Sequence, residues 1–310
     1  MQQRILFIAP KFFDYYKLII DNLKYRGYIV DYFPDIPGPF FRYFYRGKAT
    51  SKYYCKKILP FVLRNNYEYI FVIKGDSIPI NFLTILRKRF YKAKFINYLW
   101  DDLKRSPGSF ERHKFYDKVI TYSRLDSIEY NLPFYPIFFN MDNTSVSKLK
   151  KYDLSFIGTW HSNRLEFVNS LKNKFPSSNF FIHLYCPIGG LKFIKGIKGV
   201  ISGSLKLYKI GYKDLLNICS ESRIVLDFAI KDQNAPTTRI IEAMVVQTKI
   251  ITTCKDIVNY DYYDQENILV IDPDNVDIPI EWISAQFKEI SPSIIEKYEL
   301  NTWINNILFQ

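Results

Sequence analysis

The sequence predicts an α/β protein of two successive domains, each built on a parallel sheet. Apolar strand-like runs alternate with segments of helical apolar spacing along the chain, and this alternation favours parallel sheets. A polar stretch from Asn140 to Tyr152 interrupts it, as interdomain linkers do. The length of 310 residues also exceeds the usual size of one domain. We expect a first domain at residues 1–145, a second at 150–290 and a C-terminal helix at 291–310.

The first half contains six candidate strands. Arg4–Ala9 is an apolar run, and the helix after it ends at Gly27, since glycine commonly follows the last helical turn. Another helix is expected over Ile78–Phe90. The predicted strands are Arg4–Ala9, Tyr28–Phe33, Tyr69–Ile73, Lys94–Leu99, Lys118–Tyr122 and Phe134–Phe138.

A second α/β series begins after the polar stretch. Its short apolar runs are rich in β-branched and aromatic residues, which favours strands. The final segment, Pro292–Phe309, has helical spacing and carries Trp303. The predicted strands are Asp153–Gly158, Phe180–Leu184, Arg223–Phe228, Lys249–Thr252 and Ile268–Ile271.

Charge and composition restrict the class of protein. Residues 1–145 carry 24 Lys and Arg against 13 Asp and Glu, so they hold most of the net charge of +12. Such a basic half suits nucleic acid, an anionic membrane surface or a phosphorylated substrate, or is simply a solvated basic face. The four cysteines and three histidines are scattered, so we expect reduced thiols and no zinc site. With no signal peptide and no apolar run of about 20 residues, we expect a cytoplasmic protein, soluble or peripheral.

The most informative motif is the predicted helix that begins near Pro236, between two strands. Thr237 and Thr238 can cap its free amides, and such a helix start favours an anion. Arg239 adds donors that suit phosphate, and Glu242 one turn later can accept hydrogen bonds from a sugar diol. A diphosphate joined to a ribose would satisfy these groups. The alternative is a capped helix with a surface Arg–Glu pair.

Other candidate residues directly follow predicted strands, where parallel sheets bind ligands. Gly158 and Thr159 end one strand, with Gly158 leaving room for a ligand and Arg164 within reach of phosphate; the alternative is an ordinary turn. Asp101 and Asp102 end another, where a carboxylate can serve as general base; the alternative is one capping and one solvated aspartate. Lys11 and Lys74 are candidate cations at a cleft rim, or simply exposed.

The segment Phe40–Lys48 mixes aromatic rings with cations. This pattern is typical of a membrane-interface segment or of a surface that stacks single-stranded bases. It is equally compatible with aromatic packing in a core, with the charged ends of the basic side chains in solvent.

The ordered set of motifs resembles the GT-B class of glycosyltransferases, and more narrowly bacterial polysaccharide-biosynthesis proteins and the CgeB-like glycosyltransferase group. The resemblance spans most of the chain, and the set is more specific than any one motif. The matching pieces are Phe71–Gly75, Tyr98–Asp102, Thr121–Asp126, Asp153–Thr159 and Thr238–Ala243.

The resemblance implies two Rossmann-like domains facing a cleft, with the C-terminal helix around Trp303 crossing back onto the first domain. It implies transfer of a sugar from a nucleotide-sugar donor, without a tightly bound metal or other cofactor, to a saccharide or lipid-linked acceptor. Glu242 falls where the family places its ribose-binding glutamate. Two positions depart from the family pattern: Asn234 replaces a glutamate of related retaining enzymes, and Gln247 replaces a glycine. The donor sugar and the stereochemical outcome therefore stay open.

The expected function is sugar transfer at an acceptor hydroxyl in polysaccharide biosynthesis, such as that of capsule or lipopolysaccharide. Arg239, the Thr237 and Thr238 amides and Arg164 would hold the donor diphosphate, and Asp101 or Asp102 would be the base of an inverting reaction. The basic first half would meet the acceptor at the inner face of the plasma membrane. One alternative is a nucleic-acid-binding protein that uses this half, although no nucleic-acid-binding motif supports it. Another is a non-catalytic nucleotide-sugar binder.

Overall fold

The structure, a computed structural model, describes residues 2–12, 14–36, 48–140, 146–161, 163–187, 191, 193–229 and 235–310. The chain divides into two units. Unit 1 consists of Met1–Pro136 with Leu300–Gln310, and unit 2 of Ile137–Glu299. No helix in the described ranges combines the length and the apolar character that a membrane crossing requires.

Unit 1 is built on a five-stranded sheet in the order β2-β1-β3-β4-β5, with every neighbouring pair parallel. Its central strands are apolar on both faces and buried, as a sheet covered on both sides requires. The strands are β1 (Arg4–Ala9), β2 (Ile29–Pro34), β3 (Tyr69–Ile73), β4 (Lys94–Leu99) and β5 (Lys118–Thr121). The helices are α1 (Tyr15–Tyr25), α2 (Lys48–Tyr53), α3 (Leu59–Val62), α4 (Ile80–Arg89) and α5 (Arg124–Tyr130).

Unit 2 repeats this architecture with the sheet order β10-β9-β8-β6-β7, again parallel throughout. Its strands are β6 (Tyr152–Thr159), β7 (Phe180–Tyr185), β8 (Ser222–Asp227), β9 (Lys249–Thr252) and β10 (Ile268–Val270). Its helices are α6 (Arg164–Lys174), α7 (Ile194–Ile201), α8 (Tyr212–Ser220), α9 (Thr238–Val245), α10 (Ile280–Ser284) and α11 (Pro292–Tyr298). The predicted fold class is therefore confirmed.

The C-terminal residues return to unit 1 as α12 (Leu300–Ile304) and a π-helical turn, Asn305–Phe309. The Trp303 ring is fully buried, lies against Tyr98 with ring centroids 4.8 Å apart, and donates from Nε1 to the Pro136 carbonyl at 3.1 Å. Lys118 Nζ donates to the Asn306 carbonyl at 3.0 Å. The crossing predicted from the resemblance is thus fixed by a buried aromatic residue and by polar contacts.

Two predicted elements are wrong. Phe134–Phe138 is not a strand, since only Phe134 bridges to Thr121; the prolines at 133 and 136 lack the N–H groups that a ladder needs. Pro292–Phe309 is not one helix, because Glu299 adopts extended backbone with ψ 144° between α11 and α12. At this break Phe139 N donates to the Tyr298 carbonyl at 3.0 Å.

Candidate functional site

The start of α9 is tied to the carboxyl ends of β8 and β9. Thr237 is the N-cap residue, and its Oγ1 accepts from Arg239 N at 3.2 Å. Pro236, near which the helix was predicted to begin, therefore precedes the cap. The same Thr237 hydroxyl donates to Asp227 Oδ1 at 2.7 Å, and the Thr252 hydroxyl donates to Asp227 Oδ2 at 2.8 Å. One carboxylate thus fixes where the helix begins.

Asp227 is a site residue that the sequence analysis missed. Burial raises the pKa of this carboxyl, while the hydroxyls of Thr237 and Thr252 and the charges of two arginines oppose the rise. The signal available in the sequence was an aspartate at the end of an otherwise apolar strand, β8. Such a residue is costly to bury unless hydrogen bonds satisfy it.

Arg239 and Glu242 form an ion pair inside unit 2. Arg239 Nη1 lies 2.6 Å from Glu242 Oε2, and the two side chains are 8% and 0% exposed. The Arg–Glu pair of the alternative interpretation is therefore present, but it is buried instead of lying at the surface. Glu242 holds the guanidinium of Arg239 one turn into α9.

Arg164 connects β6 to β8. As the first residue of α6, it donates from Nη1 to the Thr159 carbonyl at 2.9 Å and from Nη2 to the Phe228 carbonyl at 2.6 Å. A Cβ at Gly158 would lie 3.0 Å from Arg164 Nη1. The space that Gly158 leaves therefore accommodates the arginine, whereas the sequence analysis reserved it for a ligand.

These contacts gather the predicted residues of the second domain at one edge of its sheet. The positive charges of Arg164 and Arg239 both oppose the rise in the pKa of the buried Asp227 carboxyl. The N–H groups of the first turn of α9 point out of the N-terminal end of the helix, as in every α-helix. The guanidinium groups of Arg164 and Arg239 lie beside the carboxylates of Asp227 and Glu242, so the helix start itself is the feature of this edge that suits an anion. Asn234 lies outside the described residues.

In unit 1, two residues that were predicted separately as site residues are in contact with each other. Lys74 follows β3 and Asp101 follows β4, and their side chains form an ion pair of 2.6 Å between Nζ and Oδ2. The turn that carries Lys74 is unusual, because Lys74 and Gly75 both have positive φ angles, 70° and 84°. Lys11 lies on the surface after β1.

The two neighbouring aspartates have different surroundings. The side chain of Asp101 is 36% exposed, whereas Asp102 is 1% exposed. Burial raises the pKa of Asp126, the backbone N–H of Leu103 lowers it, and the charge of Asp102 raises it further. Asp101 and Asp102 were predicted as a pair from their adjacency after β4, and no local pattern marked Asp126 as a third carboxylate beside them.

Among the residues that the structure describes, no group of three or more metal-ligating side chains comes together. The aromatic and basic segment Phe40–Lys48 lies outside the described residues, except that α2 begins at Lys48. Its interpretations stay predictions.

A search for matching protein families finds none, and no curated protein matches. Solved structures do match. AviGT4, a glycosyltransferase involved in avilamycin A biosynthesis, is 11% identical over 99% of this chain and 95% of its own, with a TM-score of 0.57. A putative UDP-N-acetylglucosamine 2-epimerase from Listeria monocytogenes is 8% identical over 81% and 79%, with a TM-score of 0.47. The calicheamicin glycosyltransferase CalG4 is 12% identical over 98% and 94%, with a TM-score of 0.45.

The likeness to AviGT4 extends over both units and shows the fold. Each unit has its own five-stranded parallel sheet, and two Rossmann-like domains are what the GT-B fold contains. The chain therefore has the GT-B fold.

Proposed function

We propose that the protein is a glycosyltransferase that moves a sugar from a nucleotide-sugar donor to an acceptor hydroxyl. The observation that carries the proposal is the start of α9, which Asp227 fixes at the carboxyl edge of the second sheet. The GT-B fold supports it, because AviGT4, which has the same fold, is a glycosyltransferase.

The donor diphosphate would lie at the first turn of α9, against the backbone amide and the hydroxyl of Thr238; the Arg239 amide is taken up by the cap at Thr237. Arg164 and Arg239 are already bonded to protein groups, so their role would be to hold this edge of the sheet and the start of α9 in place around the phosphates. Glu242 would position Arg239. Gly158 and Thr159 would shape the site by seating Arg164.

The chemistry requires stabilisation of a leaving group. Breaking the bond between sugar and phosphate develops negative charge on the diphosphate, and preorganised donors stabilise that charge most strongly in the transition state. The start of α9 would supply donors of this kind, and we propose that the reaction needs no tightly bound metal.

For an inverting reaction, the base would be Asp101. Its side chain is the more exposed of the two aspartates, and Lys74 fixes its direction. The buried Asp102 would act through its neighbours, as a positioning residue. Asp101→Asn should lower turnover by about 10²–10⁴-fold, the usual contribution of a general base, and should leave the affinity for the donor nucleotide unchanged. Asp102→Asn is the comparison variant. Normal turnover in Asp101→Asn would place the base elsewhere.

We further propose that the acceptor is a polysaccharide or a lipid-linked saccharide, used in capsule or lipopolysaccharide synthesis. The excess of Lys and Arg in residues 1–145 supports an anionic acceptor or an anionic membrane at the cytoplasmic face of the plasma membrane. This part of the proposal rests on charge, and Lys11 and Lys74 are the cations expected near the acceptor.

A thermal-shift screen against nucleoside diphosphates and nucleotide sugars tests the proposal. Ligands present at about 100 times their Kd should stabilise the protein by about 2.7 kcal/mol, and the stabilising nucleotide identifies the donor. Donor hydrolysis would then separate an active transferase from a nucleotide-sugar binder. Salt-sensitive binding to oligonucleotides, with no response to any nucleotide sugar, would instead support the nucleic-acid alternative.

A further inference from the structure

Helix α7 in unit 2 turns its apolar side chains to solvent. Ile194, Ile197 and Ile201 are 72%, 45% and 81% exposed, and their spacing of three and four residues places them on one face of the helix. The opposite face carries Gly196 and Gly199, and both are buried. A surface helix ordinarily does the reverse and buries its apolar stripe.

The glycines fix this orientation. A Cβ at Gly199 would lie 2.6 Å from Leu205 Cδ1, and Leu205 is itself buried. Leu205 N also donates to the Gly199 carbonyl at 2.9 Å. The helix therefore packs closely on unit 2 through its glycine face, and the isoleucines remain outside.

The chain on either side of the helix extends the apolar surface. Phe193 precedes α7 and is exposed, as are Leu207 and Tyr208 in the loop that follows. The loop is held in place, because Lys206 N donates to the Leu184 carbonyl at 2.8 Å. We call this surface the α7 patch, defined by Phe193, Ile194, Ile197, Ile201, Leu207 and Tyr208. Exposed apolar patches of this kind mark binding surfaces.

The charged side chains of the same segment are all basic. Residues 193–209 include four lysines and no aspartate or glutamate: Lys195, Lys198, Lys206 and Lys209. Lys195 contacts Glu166 of α6 at 3.0 Å, and both side chains are exposed to solvent, so this pair is weak. Basic side chains beside exposed aliphatic ones are typical of helices that lie in a membrane interface.

We propose that the α7 patch binds the surface of an anionic lipid bilayer, with the isoleucines in the acyl boundary and the lysines at the headgroups. A second copy that docked through the same patch would bring lysines against lysines, which is unfavourable. A bilayer also accepts protruding aliphatic side chains without a matching pocket. This inference does not depend on the proposed sugar transfer.

Co-sedimentation of the full chain with vesicles tests the proposal. We expect binding to phosphatidylcholine vesicles with about 30 mol% phosphatidylglycerol and little binding to phosphatidylcholine alone. The double variant Ile194→Gln/Ile201→Gln should lower the partition coefficient by about tenfold or more, because it removes two apolar side chains from the interface. Ile280→Gln is the matched control, since Ile280 is 76% exposed on α10.

Lys198→Gln should weaken binding to the anionic vesicles by about fivefold, whereas Lys172→Gln on α6 should leave it unchanged. Because the substituted isoleucines are exposed, circular dichroism should show an unaltered fold. Failure of the wild-type chain to bind anionic vesicles, or equal binding by the double variant, would overturn the proposal. Self-association in sedimentation velocity that the double variant abolishes would also overturn it, in favour of a second copy.

Discussion

At the residue scale, the buried pair of Arg239 and Glu242 makes each charge depend on the other. Removal of one member leaves an uncompensated charge in the interior, which typically costs about 3–5 kcal/mol. Replacement of both by apolar residues of similar size is often neutral. Glu242→Leu should therefore lower the free energy of unfolding by about 3–5 kcal/mol. The double variant Arg239→Met/Glu242→Leu should restore it to near the wild-type value.

Urea denaturation checks this prediction. The lysine–glutamate pair Lys151–Glu221 is the matched control, because its lysine is half-exposed and such pairs contribute about 0–1 kcal/mol. If Glu242→Leu is no more destabilising than Glu221→Leu, the pair is not buried as described. The sequence could predict that Arg239 and Glu242 meet, since they lie three residues apart on one helix face. It could not predict their burial, which depends on the fold of the whole unit.

Gly158 is a second residue whose surroundings could not be predicted from the sequence. The sequence predicted that Gly158 leaves room for a ligand, whereas the group that lies close to its Cβ position is Arg164 Nη1. The identity of the approaching group follows from the packing of α6 against β8, which no local motif encodes. Asp227 was missed for a related reason, because a single strand-end aspartate has many possible roles.

At the element scale, the turn after β3 depends on a glycine for two reasons. Gly75 has φ 84°, and a Cβ there would lie 2.8 Å from Val72 Cγ1. Gly27 has a similar φ of 88° with no atom within 4 Å of its Cβ position. Gly27→Ala should cost about 1 kcal/mol from backbone strain alone, and Gly75→Ala about 1–3 kcal/mol more from overpacking. Thermal or urea unfolding of the two variants measures the difference, and equal losses would rule out the contact with Val72.

The end of α9 explains a departure from the family pattern. Gln247 has φ 53° and donates from its backbone N–H to the Met244 carbonyl at 3.0 Å. Helices commonly end on such a left-handed residue, for which glycine is preferred. The glycine expected from the resemblance would suit a left-handed backbone conformation at this position. This chain adopts the same conformation with Gln247.

Strands were the elements that the sequence predicted best. Buried parallel strands are short apolar runs bounded by polar residues, so β1, β3, β4 and β9 have the predicted bounds. Helix faces were harder to predict. The isoleucines of α7 have the spacing of a buried stripe, and only the tight fit of Gly199 on Leu205 reveals that they face solvent.

At the scale of the whole molecule, unit 1 is completed by the last residues of the chain. Trp303 and Ile304 are fully buried there, so the first strands depend on a segment that follows unit 2 in sequence. Trp303→Ala should lower the free energy of opening in unit 1 by about 3–5 kcal/mol, as large-to-small core substitutions do.

Hydrogen exchange with mass spectrometry localises this effect. Protection should fall in peptides from β1, β3 and β4 and stay unchanged in peptides from β6 and β8. Trp282→Ala is the control, because Trp282 is half-buried in unit 2 and should affect that unit alone. An equal loss of protection in both units after Trp303→Ala would contradict the assignment of the C-terminal residues to unit 1.

The central claim is that unit 2 binds a nucleoside diphosphate at the start of α9, and calorimetric titration of the full chain tests it most directly. The first turn of α9 carries no acidic residue, and Thr238→Asp would add a negative charge there beside the proposed diphosphate. We expect micromolar or tighter binding of one nucleoside diphosphate, a loss of at least about tenfold in Thr238→Asp from charge repulsion, and little change in the neutral Thr238→Asn. Absence of binding by every nucleoside diphosphate and nucleotide sugar, or wild-type affinity in Thr238→Asp, would contradict the claim.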